Sequence, residues 1–324
     1  MPSRISVCIP VYNGAAFLAA AVESALGQDA PDFEVVVCDN ASTDGTSEIA
    51  ARFGSRIRHE RFEDHVGQAA NWNRCLRLAG GDHVVLLHAD DLLLPGHLKA
   101  AAAMLDSHPR AGFVHCAVQH IAEDGKPLRL QRLQLEDGVE DGHAFVRRLL
   151  TDGCIVNPAG PMIRRAALDA AGPFAEQIVW GVDWQMWIRL ALTADVAYLA
   201  SPLAAYRHHG GSGTTAVFAS GRHTRDETWA VEDLAASRSD FASLAGLAWS
   251  GVARRAWFRA EEACQAGALR EARAGLRAAV ALDPRLLLAP RTWALGLATF
   301  FGYDLFETAR RWKSRLGGGA PSGG

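Results

Sequence analysis

The segment Val84-Val85-Leu86-Leu87-His88-Ala89-Asp90-Asp91 decides how the rest of the chain is read. Four consecutive apolar residues describe a strand buried on both faces, as in a parallel α/β sheet. Two carboxylates follow at once, where the strand leaves the sheet. In open α/β folds, ligands bind in the crevice outside those carboxyl ends. Adjacent Asp side chains repel each other and are costly to desolvate, so the position calls for compensation. A divalent cation shared with substrate phosphates would supply it. A turn cap ahead of Leu94-Pro95-Gly96 is the other reading of the same pair.

Upstream, residues 5–11 and 33–38 read as further buried strands. Helical spacing covers residues 15–26, with Asn13 as a cap, then 47–53, 67–79 and 95–107, and residues 111–118 return to strand. Strands alternating with helices at this spacing indicate βαβ units and a largely parallel sheet. From about Gly125 the pattern breaks, and residues 128–133 alternate with period two, as an exposed-face strand in a mixed sheet does. Gly210-Gly-Ser-Gly213 is a flexible break. Beyond it, residues 216–316 are rich in Ala, Arg and Leu and read as helical. Within them, Glu261 to Ala281 forms a helix pair that turns at Gly267 and ends at Asp283-Pro284. Residues 317–324 are expected to be a disordered tail.

The 324 residues, 49% hydrophobic and 21% charged, describe an ordinary globular chain, and a formal charge of -3 argues against a general nucleic-acid binder. Six scattered cysteines without a Cys-x-x-Cys pair argue for a reducing compartment and against a zinc or disulfide framework. Met1 to Arg4 run directly into a strand, without a signal-peptide pattern. The apolar stretch Trp293 to Tyr303 is too short to span a bilayer. Packing on its neighbours is favoured over lying in a membrane interface.

Pro10-Val-Tyr-Asn13, Val37-Cys-Asp39-Asn-Ala-Ser-Thr-Asp44, Asn71, Asp90-Asp91, Trp180-Gly-Val-Asp183-Trp184 and Tyr206-Arg-His-His209 occur in that order. On these motifs, residues 4–215 resemble the family 2 glycosyltransferases, inverting enzymes of the GT-A fold. The resemblance implies a Rossmann-like α/β/α sandwich with a mostly parallel mixed sheet over residues 1–215, followed by the helical region. It implies that Pro10, Tyr12, Asp39 and Asp44 contact the nucleoside and that Asn71 lies near the nucleotide. It further implies that Asp91 holds Mg²⁺ or Mn²⁺, that Asp90 contacts the ribose or shares the metal, and that Arg207 and His209 lie near the phosphates or the metal. Asp183 would take the proton from the acceptor hydroxyl. The implied activity moves a sugar from a nucleoside-diphosphate sugar, UDP-linked, to a glycan or lipid-linked acceptor. Its setting would be bacterial cell-surface polysaccharide synthesis, in the cytoplasm or peripherally on the inner face of the plasma membrane.

The residue chemistry supports these roles unevenly. A Tyr beside an Asp offers stacking surface and acceptors for a base and ribose. Asp44 before Gly45 is equally a turn and cap. Asp183 stands among Trp180, Trp184 and Trp187; desolvation there makes a better base, and the faces of Trp180 and Trp184 suit a sugar acceptor. Three residues depart from the family pattern: His88 stands at the first acidic position of the metal motif, Asn40 replaces a second Asp, and Val182 replaces the usual Glu. Two other classes compete. A nucleotidyltransferase would carry a basic phosphate loop after the first strand, which Val11 to Ala16 lacks. A non-catalytic nucleotide-sugar or glycan-binding module of the same fold is kept open by His88 and Val182.

Overall fold

The computed structural model describes residues 5–30, 32–211 and 222–301. The chain divides into two compact units, Met1–Ala219 and Ser220–Gly324. The first runs β1 (Ile5–Val11), α1 (Leu18–Leu26), β2 (Phe33–Asp39), α2 (Thr46–Ala51), β3 (Arg58–Arg61), α3 (Gln68–Leu78), β4 (His83–Leu86), β5 (Leu92–Leu93) and α4 (His97–Ser107). It continues β6 (Ala111–Ile121), β7 (Pro127–Gln131), β8 (Gly138–Glu140), α5 (Gly142–Asp152), β9 (Met162–Arg164), α6 (Arg165–Ala171), α7 (Val182–Ala191) and β10 (Asp195–Arg207).

One mixed sheet carries the order β3-β2-β1-β4-β9-β6-β10-β5, with β7 on β6 and β8 on β10. β1 is buried along its whole length and pairs in parallel with β2 on one side and β4 on the other. The three-residue β9 sits antiparallel between β4 and β6, and β10 runs parallel to β6. Two reversals through β9 leave β1, β2, β4, β6 and β10 pointing one way. The chain therefore emerges at a single edge after Val11, Asp39, Leu86 and Arg207. That edge gathers the residues singled out at the strand ends.

Several local expectations shift. β4 ends at Leu86 rather than at the diacid. Leu87 N–H still donates to Cys8 O at 2.8 Å, after which Asp91 N–H closes a turn onto His88 O at 3.1 Å. Asn13 does not cap α1, which starts five residues later without a side-chain cap. Instead Asn13 adopts φ +50 and its Oδ1 accepts from Thr43 N–H at 2.8 Å, pinning the loop after β2 to the loop after β1. The polar edge strand β3 (Arg-His-Glu-Arg) has no buried face and so left no apolar signal.

The second unit holds α8 (His223–Ser237), α9 (Ala245–Gln265), α10 (Leu269–Leu282) and α11 (Pro290–Phe301). The expected turn at Gly267 is present with φ +78, and small residues on α9 and α10 let the pair approach closely. On α11, Leu295 and Ala298 pack into the helical core as expected for this stretch, whereas Trp293, Leu297 and Phe300 are exposed along the other face. Gly302, Tyr303, the 317–324 tail, Ser212 and Gly213 lie outside the described residues.

Gly142 opens α5 under two carbonyls: a Cβ there would lie 2.1 Å from Ala191 O and 2.2 Å from Ala194 O. Gly142→Ala should therefore destabilise by about 1–3 kcal/mol, as overpacking does, read as a lower urea midpoint with an unchanged slope.

Candidate active site

A cavity of about 530 Å³ opens at the shared strand edge, lined by Pro10, Tyr12, Asn40, His65, Asn71, Trp72, His88, Asp90 and His209 among others. One wall is built by the loop after β3. Its His65 ring lies 4.0 Å from the half-exposed Tyr12 ring, tilted by 44°. The loop is fixed by Asn40, whose Nδ2 donates to Val66 O at 2.7 Å while Val66 N–H donates to its Oδ1 at 2.9 Å. An Asp in its place could only accept, so the replacement of acid by amide is what makes this two-point clasp possible. Deeper in, Asn71 is 3% exposed; its Nδ2 donates to Cys38 O at 3.4 Å, and its Oδ1 has no hydrogen-bond partner.

The acidic loop forms the opposite side. Asp91 is 1% exposed. Its Oδ1 accepts from Arg207 N–H at 2.9 Å; its Oδ2 has no hydrogen bond and lies 3.8 Å from His88 Nδ1. Burial, then the neighbouring Asp90 charge, push the Asp91 carboxyl well above the usual range, against the Arg207 N–H and guanidinium. His209 Nε2 donates to Asp90 Oδ2 at 2.9 Å, and its ring leans on Phe17 at 4.7 Å. His88 stacks on Trp72 at 5.0 Å. Burial lowers its pKa, although Asp90 and Asp183 both pull the other way.

Asp183 sits in the first turn of α7, after Gly181 with φ +70. Its Oδ1 accepts from Trp184 N–H at 2.8 Å and its Oδ2 from the Cys154 thiol at 3.6 Å. Burial raises its pKa, opposed by those two bonds and by His88. Asp90 and Asp183 thus both bear on His88, while neither Asp183 nor Asp91 lines the cavity itself.

The structure gathers Pro10, Tyr12, Asn71, Asp90 and His209 around one cavity, and places other expected site residues differently. Asp39 is fully buried: its Oδ1 accepts from Ser42 N–H at 2.8 Å and its Oδ2 from the Ser47 hydroxyl. Asp44 accepts from Ala15 N–H and from the Thr46 N–H and hydroxyl. Burial raises its pKa, but these bonds outweigh it and leave the carboxyl lowered overall. Neither carboxylate lines the cavity: Asp39 braces the loop after β2, and Asp44 ties that loop to the one after β1. Arg207 is buried, not poised over the cavity: Nε donates to Asp90 O at 2.9 Å, Nη1 to Glu123 O at 2.9 Å and Ala122 O at 3.3 Å, and the guanidinium lies 5.0 Å above Phe17. Trp184 is corrected too. It is 3% exposed, with its indole N–H donating to Leu149 O at 2.9 Å, so its ring faces α5 and is closed to an acceptor. Trp180 is partly exposed. His209 lies on Asp90, while the potential metal ligands that converge are His88, Asp90 and Asp91. His65 and Cys154 carried no sequence signal, since each lies in a loop without periodicity, and Phe17 was read only as part of a helix.

Residues 6–170 match the family described as glycosyl transferase family 2. An uncharacterized protein of Mycobacterium tuberculosis, MT1568, is 33% identical over 76% of this chain and 81% of its own length. The putative glycosyltransferase EpsE of Bacillus subtilis is 37% identical over 32% of this chain, which spans 39% of that protein. Among solved structures, TarS residues 1–349 of S. aureus, in complex with UDP-GlcNAc, superposes with a TM-score of 0.70 at 19% identity, covering 96% of this chain and 92% of TarS 1–349. The mannosyltransferase PcManGT of Pyrobaculum calidifontis, in complex with GDP-Man and Mn²⁺, gives 0.58 at 21%, covering 97% and 84%. The chain belongs to glycosyl transferase family 2. Its mixed sheet with flanking helices is of the GT-A type, it is a glycosyltransferase, and the nucleotidyltransferase alternative is set aside.

Asn40→Asp should lose the bond to Val66 O and set a carboxylate against that carbonyl, at a cost of about 1–3 kcal/mol. The expected readout is faster amide exchange and proteolysis across residues 62–67, with the rest of the sheet unchanged.

Proposed function

We propose that the protein transfers a sugar with inversion from a nucleoside-diphosphate sugar, UDP-linked, to a hydroxyl of a glycan or lipid-linked acceptor in bacterial cell-surface polysaccharide synthesis. The observation that carries this is one cavity at the strand edge lined by both an aromatic and amide wall and the acidic loop; the buried Asp183 carboxylate bears on His88 of that loop. Tyr12 and His65 offer ring surface to the base. Asn71 Oδ1, without a partner among the described residues, accepts a base N–H, and Pro10 lines the same cavity. The relatives found with UDP-GlcNAc and with GDP-Man and Mn²⁺ support a nucleotide-linked donor.

The donor set fits a hard divalent cation, Mg²⁺ or Mn²⁺: His88, Asp90 and Asp91 each offer a ligand atom within 4.8 Å of the others, and Asp91 Oδ2 is buried without a partner. When bound, the ion offsets charge developing on the departing diphosphate. Arg207 holds the loop in place through Asp91 Oδ1 and Asp90 O, and His209 fixes the Asp90 carboxylate. Asp183 accepts the acceptor's hydroxyl proton as that oxygen bonds to the anomeric carbon. The carbon–oxygen bond to the diphosphate breaks in the same displacement, and its electron pair leaves with the nucleoside diphosphate. Trp180 flanks the acceptor side.

No helix among the described residues is long and apolar enough to cross a membrane. A cytoplasmic enzyme held peripherally on the inner membrane face is supported by the exposed Trp293, Leu297 and Phe300 on α11.

UDP with Mn²⁺ should raise the melting temperature where other nucleoside diphosphates do not, through about 2.7 kcal/mol of added stability at a hundredfold excess over Kd. A shift with GDP alone would reassign the base. Asp183→Asn should keep that shift and lose transfer by ~10²–10⁴-fold. A base must be ionised, so wild-type activity should fall as pH drops through a midpoint above the ordinary Asp value of about 3.9, because burial raises the Asp183 pKa. An acid limb at or below the ordinary value would place the base elsewhere.

A further inference from the structure

We infer that His88 is a nitrogen ligand of the cation and sets the metal preference of the site, favouring Mn²⁺ and Co²⁺ over Mg²⁺. This rests on the reading of the acidic loop as a cation site. Two acceptor-bearing groups, His88 Nδ1 and Asp91 Oδ2, face each other at 3.8 Å, too far apart for a hydrogen bond. Asp91 Oδ2 is buried and unpartnered, and so is His88 Nε2. Among the described residues neither ring nitrogen has a hydrogen-bond partner, a costly state for the buried Nε2. A cation between Nδ1 and Oδ2 satisfies both atoms at once. The tautomer is then fixed, with the proton on the buried Nε2.

The ring is held for this use. It stacks on Trp72 with planes 26° apart, and Trp72 is braced edge-on by Phe174 at 5.1 Å. Its ligand atom lies within 4.8 Å of those of Asp90 and Asp91, close to the span of two ligands across a cation at ~2.1–2.2 Å each, so a small closure completes the set. Imidazole in place of a carboxylate changes selectivity. Mg²⁺ prefers all-oxygen coordination and retains its waters, whereas ions higher in the divalent series gain from a nitrogen donor. His209 was the nitrogen ligand expected from sequence; here it is engaged with Asp90.

The test uses MnCl₂ alone with the full chain, read by electron paramagnetic resonance. Bound Mn²⁺ should show modulation from one directly coordinated imidazole ¹⁴N. That signal should persist in His209→Gln and vanish in His88→Asp and His88→Asn while Mn²⁺ remains bound. In competition titrations, Mg²⁺ should displace Mn²⁺ from His88→Asp at roughly tenfold lower concentration than from wild type, as an all-oxygen site predicts. Bound Mn²⁺ without nitrogen coupling in the wild type, or coupling that survives in both His88 variants, overturns the assignment and leaves the cation reading standing. Absence of any bound Mn²⁺ in the wild type overturns the cation reading as well.

Discussion

A carboxylate that is 1% exposed, with one hydrogen bond, has to be held by something, and in this molecule the holder is Arg207. Its backbone N–H meets Asp91 Oδ1, its Nε meets Asp90 O, its Nη1 reaches Ala122 and Glu123, and its guanidinium covers Phe17 after the first strand. One residue at the end of β10 thus ties the diacid loop to the turn after β6 and to the chain leading into α1. A guanidinium is suited to this because its fixed fork of donors can serve several carbonyls while its face stacks on a ring. The arrangement lets the acidic loop stay buried without collapsing. It also explains why the strand could end at Leu86 and leave the two Asp residues on a turn.

Among the central strands, those read from sequence were the ones where burial is two-sided. β1, β2 and β4 are short apolar runs because helices cover both faces, and each was recognised from composition alone. β9 could not be, since Met162 to Arg164 is three residues long and sits antiparallel between β4 and β6, where only the tertiary sheet defines it. β3 escaped for the opposite reason: a polar edge strand has no buried face to mark it.

At the site, positions were legible and contacts were not. Tyr12, Asn71 and Asp90 follow strand ends or open a helix, so topology alone sends them to the crevice. Arg207, Asp39 and Asp44 were expected as ligand contacts from the family resemblance. Yet a guanidinium satisfies backbone carbonyls as readily as phosphates, and a carboxylate accepts from a loop N–H as readily as from a ribose. Trp184 shows the same ambiguity: its large ring serves a core contact with α5 through an indole N–H that already has its acceptor. Asn40 ran the other way. It entered as a lost acid, whereas its amide is the one side chain at that position able to donate and accept toward Val66 together.

The two remaining departures from the family pattern have one sign. Asp90, Asp91 and Asp183 already bring three carboxylates near His88: Asp90 and Asp183 bear on its protonation, and Asp91 Oδ2 is 3.8 Å from its ring. A fourth carboxylate at position 88 would be desolvated and repelled by the others. A Glu at position 182, where Val182 is 3% exposed, would add a further buried charge beside the residue proposed as base. His88, held neutral by burial, contributes a donor atom without a charge, and Val182 contributes packing without one. Each replacement spares Asp91 and Asp183 a repulsive neighbour, so these carboxylates can be buried deeply enough to have raised pKa values and still ionise for their work. The missing acidic residues are therefore compatible with the proposed site, because they would add negative charge beside the carboxylates proposed to act.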